Sequence, residues 1–339
     1  MPARLRVRSS RRRKTYRNGD PVRPRVKMTT TKILFATDVH GSEKSFLKFV
    51  NAGKIFKINV LILSGDLTGK SLIPITEENG VYTADILGKI QTAKGKAELE
   101  LLEKDLRSTG HYYYHTTHEE FNKLREDKSK IEGFFGQLIQ DRIRTWISMA
   151  EQRLKGTAIK CCISPGNDDR FSIDPILDAS EFVINPEGKA VKIDADHEMI
   201  TLGWSNPTPW NTFRECSEQE LEKKIEQLIS QVVNLENSIF NFHCPPYNSQ
   251  LDMAPKIEKT ALRATTYNIP VGSTAVRQSI EKHKPMLSLH GHIHESRGLV
   301  KIGRTVCLNP GSEYTEGTLR AYMVTLDEKG VKGYQPISG

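Results

Sequence analysis

Residues 32–41 read KILFATDVHG and residues 60–69 read VLILSGDLTG; in each, a short apolar run stops abruptly at a polar turn that carries an aspartate. Runs of that length, apolar at nearly every position, are the pattern of strands buried on both faces. Between them Ser42 is placed to cap a helix whose Phe46, Leu47, Phe49 and Val50 share one face, with Gly53 as its end. Strand, polar turn and helix in alternation predict an α/β layered domain with its chemistry at the strand ends. The strand pattern returns over 158–164, 199–203, 238–242, 286–289, 305–308 and 320–326, and an amphipathic helix over about 217–234 precedes one of these.

Between the second and third of these runs, over about 71–157, acids and bases are dense and nearly balanced. There Ile131, Phe134, Phe135, Leu138, Ile139, Ile143, Trp146, Ile147, Ala150 and Leu154 recur at three- and four-residue steps, and Gly156 follows as a stop. This predicts a mostly helical insertion in the domain, its stripe packing on another helix or on the core.

The chain has 339 residues, 37% hydrophobic and 27% charged, ample for a sizeable core. It holds no run of about 18 apolar residues, so a transmembrane helix is not expected. The start, MPARLRVRSSRRRK, has the charge of a signal peptide without its apolar segment, which argues against ordinary secretion. Five cysteines, Cys161, Cys162, Cys216, Cys244 and Cys307, form neither a disulfide framework nor a CxxC pair, which points to a reducing compartment, the cytoplasm. The net charge is +8, but residues 1–27 hold eleven Lys or Arg against Asp20 alone, +10, which leaves −2 for 28–339. Three readings of that tail stand side by side: a disordered arm for an anionic partner such as nucleic acid, an organelle transit peptide, or a segment upstream of a true start at Met28.

Five polar turns follow five of the predicted strands: Asp38-Val39-His40, Gly65-Asp66, Gly166-Asn167-Asp168-Asp169, His243-Cys244-Pro245-Pro246 and Gly291-His292-Ile293-His294. A lone DxH means little, but five such turns at the same end of successive strands are hard to assign to chance. Carboxylate, imidazole and amide oxygen without thiolate suit Mn, Fe, Zn, Co or Ni and argue against a structural zinc site. Seven candidate ligands exceed what one cation needs. Two cations roughly 3.5–4 Å apart, sharing one carboxylate, use them all and acidify a bridging water.

The order DxH, GDxxG (complete here as Gly65-Asp66-Leu67-Thr68-Gly69), GNxD, a histidine after a strand, then GHxH resembles the calcineurin-like metallophosphoesterase superfamily over about 32–325, the insertion excluded. The stretches FHCPPYNSQLD, VGSTAVRQSIEKHKPMLSLHGHIHESRG and LNPGS are similar to its Icc-related predicted phosphoesterases. The resemblance implies a four-layer α/β/β/α sandwich over 28–339, two mixed sheets face to face with helices outside. It implies that Asp38, His40 and His294 hold a first divalent metal, that Asn167, His243 and His292 hold a second, and that Asp66 bridges them. It also implies a dinuclear, manganese-dependent hydrolase that cleaves a phosphodiester or phosphomonoester through a metal-bridging hydroxide, with Asp66, Asn167, Asp168 and His243 as catalytic residues and the insertion capping the cleft. Backbone donors around Gly41 are placed to orient phosphate. A non-enzymatic scaffold of the same fold is the competing class; all seven ligand positions are kept, which favours the enzyme. A nuclease is a third reading, supported by the tail's charge alone.

One position departs from the family pattern. Its third turn most often reads GNH, and that histidine is thought to protonate the leaving oxygen; here Asp168 takes its place. A carboxylate gives up a proton near neutrality only if its pKa rises well above about 4, and two nearby dications act in the opposite direction. The expectation is an enzyme without the usual general acid, favouring esters with good leaving groups.

Outside these motifs, His111, His115 and His118 fall at helical spacing, yet HYYYHTTH is a poor helix former and the three read as solvated or packing side chains. His290 reads as packing, Cys244 and the Cys161–Cys162 pair as buried filler, and Ser273 and Arg277 as residues within reach of a substrate phosphate.

Overall fold

The computed structural model describes residues 30–258 and 263–339; the basic tail 1–27 lies outside them. The chain opens with β1 (Thr31–Ala36), α1 (Glu43–Ile55) and β2 (Val60–Ser64). Then follow β3 (Leu72–Glu78), β4 (Val81–Ile86), β5 (Lys89–Lys94), α2 (Gly95–Ser108), β6 (Tyr112–Thr116), α3 (His118–Glu126) and α4 (Lys128–Leu154). Next come β7 (Lys160–Ser164), α5 (Asp174–Asp178), β8 (Ala190–Lys192), β9 (Glu198–Leu202), α6 (Glu218–Ile229) and β10 (Ser238–Phe242). The last part holds β11 (Met253–Glu258), β12 (Arg263–Pro270), α7 (Thr274–His283), β13 (Leu287–Leu289), β14 (Gly298–Ile302), β15 (Thr305–Asn309), β16 (Arg320–Asp327) and β17 (Gly330–Ser338).

Two mixed sheets carry the architecture, one ordered β17-β16-β1-β2-β7 and the other β14-β15-β13-β10-β9-β8. In the first, β1, β2 and β7 run parallel and antiparallel β16 and β17 extend one edge; in the second, β15, β13, β10 and β9 run parallel and antiparallel β14 and β8 close the two edges. Parallel neighbours need a crossover, so β1, β2 and β7 finish at one end of the first sheet, and β9, β10, β13 and β15 at one end of the second.

Alternation along β1 divides the core. Ile33 and Phe35 pack with Val60 and Ile62 of the same sheet and with Met199, Ile239, Leu287 and Leu289 of the other sheet. Leu34 and Ala36 point the other way, into a cluster with Phe46, Phe49 and Val50 of α1 and Ile143, Trp146 and Ala150 of α4. On the second sheet Phe240 and Phe242 join Leu221 and Ile225 of α6 and Val276 and Ile280 of α7.

The helix predicted after Ser42 is capped as expected, the Ser42 hydroxyl accepting from Ser45 N at 3.3 Å, but it runs past Gly53 to Ile55. Gly53 packs instead of stopping: a Cβ there would come within 3.1 Å of Leu61 Cδ1. The segment 71–157 carries a feature that the helical reading missed, a four-stranded sheet ordered β5-β4-β3-β6 with its own small core of Ile73, Ile75, Ala84, Ala93, Leu102 and Leu106. Its strands bury few residues each, and β5 is exposed at every position but Ala93, so their sequence lacks a full apolar run. The long stripe over 131–154 is α4, which makes the crossover between parallel β2 and β7 and lays Trp146 flat on Phe46 of α1, ring centroids 4.3 Å apart and planes 6° from parallel. Among the described residues no helix is long and apolar enough to cross a membrane.

Trp146 is 1% exposed in this stack, whereas Trp210 is 65% exposed. Trp146→Ala is expected to lower unfolding free energy in urea by about 3–5 kcal/mol, and Trp210→Ala to stay within about 0.5 kcal/mol of wild type.

Candidate metal centre

Five strand ends converge on one cleft. β1 delivers Asp38 and His40, β2 Asp66 and β7 Asn167, all from the first sheet; β10 delivers His243 and β13 leads to His292 and His294, from the second. The turns are laced by backbone bonds: Asp38 N to Gly65 O at 3.1 Å, His40 N to Asp66 O at 2.9 Å, and Gly291 N to His243 O at 2.9 Å.

This convergence strains the backbone. Asp38, His40, Asp66 and His292 sit at φ of 53°, 39°, 48° and 68°, in the left-handed region that non-glycine residues seldom enter. Strained residues of this kind gather at functional sites, where the surrounding structure holds them in place. Two glycines make the approach possible: a Cβ on Gly65 (φ 88°) would fall 1.9 Å from His243 Nδ1, and one on Gly291 would fall 2.1 Å from Thr37 Oγ1.

The side chains form two clusters. Possible ligand atoms of Asp38, His40 and His294 lie within 4.8 Å of one another, as do those of Asp66, His243 and His292. Asp66 faces both: Oδ2 lies 3.7 Å from His40 Nε2, and Oδ1 lies 3.4 Å from His243 Nε2. His40 Nε2 and His294 Nε2 face each other at 3.0 Å, an arrangement that needs a proton or a cation between two lone pairs. His243 Nε2, which faces Asp66, and Asn167 Oδ1 are buried without a hydrogen-bond partner. Unpaired buried polar atoms are costly, and these are the hard and borderline donors a divalent cation takes. The donor set therefore fits two such cations.

Asn167 shows how an amide is aimed. The Thr212 hydroxyl donates to Glu215 Oε1 at 2.6 Å, so it accepts from Asn167 Nδ2 at 2.7 Å, and Oδ1 is left facing the cleft. Asp169, fully buried, accepts from Leu67 N, Thr68 N and Gly166 N at 2.8–2.9 Å and from Thr68 Oγ1 at 2.6 Å. It clamps the β2 turn to the β7 turn.

The protein's own charges pull the imidazoles apart. Burial pushes His40 down to about 3 and His292 down to about 4. Burial also opposes protonation of His243, but Asp66 and Asp38 outweigh it and raise that group to about 9. Neutral, unprotonated imidazole is the form that ligates, so a cation held here would take the place of a proton on His243. Burial and the neighbouring Asp66 push Asp168 upward against the pull of Lys70. The same two causes push Asp169 up to about 6.

No family model matches the chain. The uncharacterized protein MJ1162 of Methanocaldococcus jannaschii is 35% identical to it over 167 residues, which make up 48% of this chain and 70% of the archaeal one. One solved structure superposes with a TM-score of 0.55 at 14% identity, over 91% of this chain and 99% of that one. A dimetal phosphatase from Danio rerio superposes with a TM-score of 0.41 at 9% identity, over 91% and 98% of the two chains. The chain belongs to the family of MJ1162 and shares the fold of the first of these structures.

Six of the seven residues singled out as ligands fall in the two clusters, with Asn167 on the adjoining β7 turn, and other side chains around them left no mark in the motifs. Lys70, at the end of the β2 turn, forms an ion pair with Asp168. Burial works against its charge, yet Asp168 and Asp66 raise it further. Tyr314 lies over the cleft, its ring 4.7 Å from that of His40 and 6.0 Å from that of His294. Each of these contacts joins residues far apart in the chain, so spacing gave no signal.

The remaining candidates resolve into structure. His115 lies on β6, not on a helix, and pairs with Glu103 at 2.8 Å; the side chain of His118 lies outside the described residues. His290 sets Nδ1 2.8 Å from Phe242 O, a packing role, and the Cys244 thiol, raised by burial, donates to Asn206 Oδ1 at 2.9 Å. Ser273 caps α7 and donates to Glu218 at 2.6 Å, while Arg277 holds Tyr247 O and Asn248 O, so both are already engaged. Gly41 N is likewise committed, to Leu67 O at 2.7 Å, and is not a phosphate donor.

Because Gly65 leaves room for His243 alone, Gly65→Ala is expected to displace that imidazole and reduce bound Mn²⁺ per chain, measured by elemental analysis. Gly80→Ala shares the positive φ, 76°, but meets nothing within 4 Å, and is expected to bind metal as wild type does.

Proposed function

We propose that the chain is a dinuclear metal-dependent phosphoesterase. The observation that carries this reading is the pair of ligand clusters that share Asp66, with buried donor atoms left unpaired by the protein. Asp38, His40 and His294 would hold one cation, Asn167, His243 and His292 the other, and Asp66 both. Two divalent ions, with Mn²⁺ preferred over Fe, Zn, Co or Ni, would supply Lewis-acid charge to phosphoryl oxygens and acidify water.

The rest is done by the chain. Asp169 and the Thr212–Glu215 pair fix Asp66 and Asn167 so that little reorganisation is needed when charge develops on phosphorus oxygens. Asp168 stands where the fold usually has an acid, its carboxylate near His40 and Asp66 and engaged by Lys70, so it is a poor proton donor to a leaving oxygen. A cavity of about 450 Å³ opens beside His294 and Tyr314, with Glu295, Arg297 and Arg320 in its wall, and suits a polar group of the ester. We read the order α1 and α4, first sheet, second sheet, α6 and α7 as the four-layer α/β/β/α sandwich, one domain over 28–339 with 71–157 inserted at the cleft. The free cysteines support cytoplasmic residence.

The test is hydrolysis of bis-(4-nitrophenyl) phosphate beside 4-nitrophenyl phosphate with added Mn²⁺. Turnover is expected to require the cation and to drop at least about 100-fold in Asp66→Asn. Aryl esters are expected to outpace alkyl esters, with Asp168→His narrowing the gap by roughly 10²-fold or more. A wild-type chain that binds no metal would instead be a scaffold on this fold.

A further inference from the structure

Lys70 immediately follows the turn that carries Asp66. That turn is rigid: Asp169 holds Leu67 and Thr68, and Gly69 approaches Gly110 so closely that a Cβ would fall 2.0 Å from its carbonyl oxygen. The base of Lys70 is therefore fixed, and Asp168 fixes its tip. The Asp168 carboxylate lies within 4.8 Å of ligand atoms on His40 and Asp66, which puts the ammonium at the edge of the cleft. The pair is asymmetric in exposure: the Lys70 side chain is 57% exposed and that of Asp168 15%. Of the two, Lys70 is the one more open to whatever enters.

We propose that Lys70, positioned by Asp168, is the phosphate anchor of this site, contacting a non-bridging phosphoryl oxygen of the bound ester. This rests on the phosphoesterase reading above. An ammonium has three N–H donors in rotatable array; Asp168 engages one side of it, and a side chain 57% exposed leaves the other donors open to a ligand. The charges agree. Asp38, Asp66 and Asp168 against Lys70 leave the cleft at −2, and two dications bring it to +2, which matches an anionic ester. Without Lys70 the entrance would present the Asp168 carboxylate to an anion. The negative charge of the ester sits on its non-bridging oxygens before and after the P–O bond breaks, so an anchor there acts on binding more than on the chemical step.

The experiment uses the full chain loaded with Mn²⁺ and compares wild type, Lys70→Met and Lys70→Arg. Bound metal is counted, inorganic phosphate binding is measured by calorimetry at two salt concentrations, and KM and kcat are taken across aryl phosphodiesters of graded leaving-group pKa. Lys70→Met is expected to keep its metal and to bind phosphate about 10- to 100-fold more weakly, with a shallower salt dependence. Its KM is expected to rise by a similar factor for every leaving group while kcat changes little, and Lys70→Arg to recover most of the affinity. Unchanged phosphate affinity in Lys70→Met would overturn the anchor. So would loss of metal in that variant, or a defect that grows with leaving-group pKa, which would assign Lys70 to the leaving oxygen. A wild type without bound metal or turnover overturns the phosphoesterase reading itself, and the anchor with it.

Discussion

A single buried carboxylate, Asp169, holds the centre together. Three backbone N–H groups from two different strand-end turns, and one hydroxyl, end on its two oxygens. Burial and the nearby charge of Asp66 push it up to about 6, so the four donors offset only part of what desolvation costs. Remove the acceptor and three amides lose their partner in a place water does not reach. Asp66 lies on one of the tied turns and Asn167 on the other. The distance between them is therefore set by a residue that touches neither of the ligand clusters.

The strain at the site follows from this tying. Four candidate ligands adopt a left-handed backbone, and Gly65 lets a histidine ring pass where a side chain would otherwise stand. Each such residue costs on the order of 1–3 kcal/mol, and the unpaired imidazoles add to that. The apolar clusters between the two sheets and beneath both pairs of helices supply what offsets it. Stability is concentrated in the strands and spent at their ends, as a site built on parallel strand termini requires.

What could be read from the sequence follows the same division. β1 and β2 are buried along most of their length, so their apolar runs and sharp ends stand out. The turns after them speak through residue type, because imidazole, carboxylate and amide in repeated strand-end turns have few other uses. The sheet of β3 to β6 shows no such contrast; half-exposed strands carry polar residues on one face and resemble loop. Lys70, Tyr314 and Thr212 were silent for another reason. A lysine after a glycine turn or a tyrosine in a short helical turn has no distinctive pattern, and its partner comes from a remote part of the chain.

Asp168 joins the two kinds of information. By sequence alone it is an anomaly, a carboxylate in the place of an acid, and the question it raises concerns its own proton. In the structure the more telling fact is its neighbour. A carboxylate beside Asp66 adds repulsion to a cleft already rich in negative charge, and such a substitution is tolerable only with a compensating cation. Lys70 is that cation. The pair leaves the local charge near that of a neutral side chain and makes the lysine, 57% exposed, the more accessible polar group of the two. On the proposed reading, with the histidine absent, the chemistry at this position would change from giving a proton to holding an anion, and the ester best served would be one whose leaving group departs unaided.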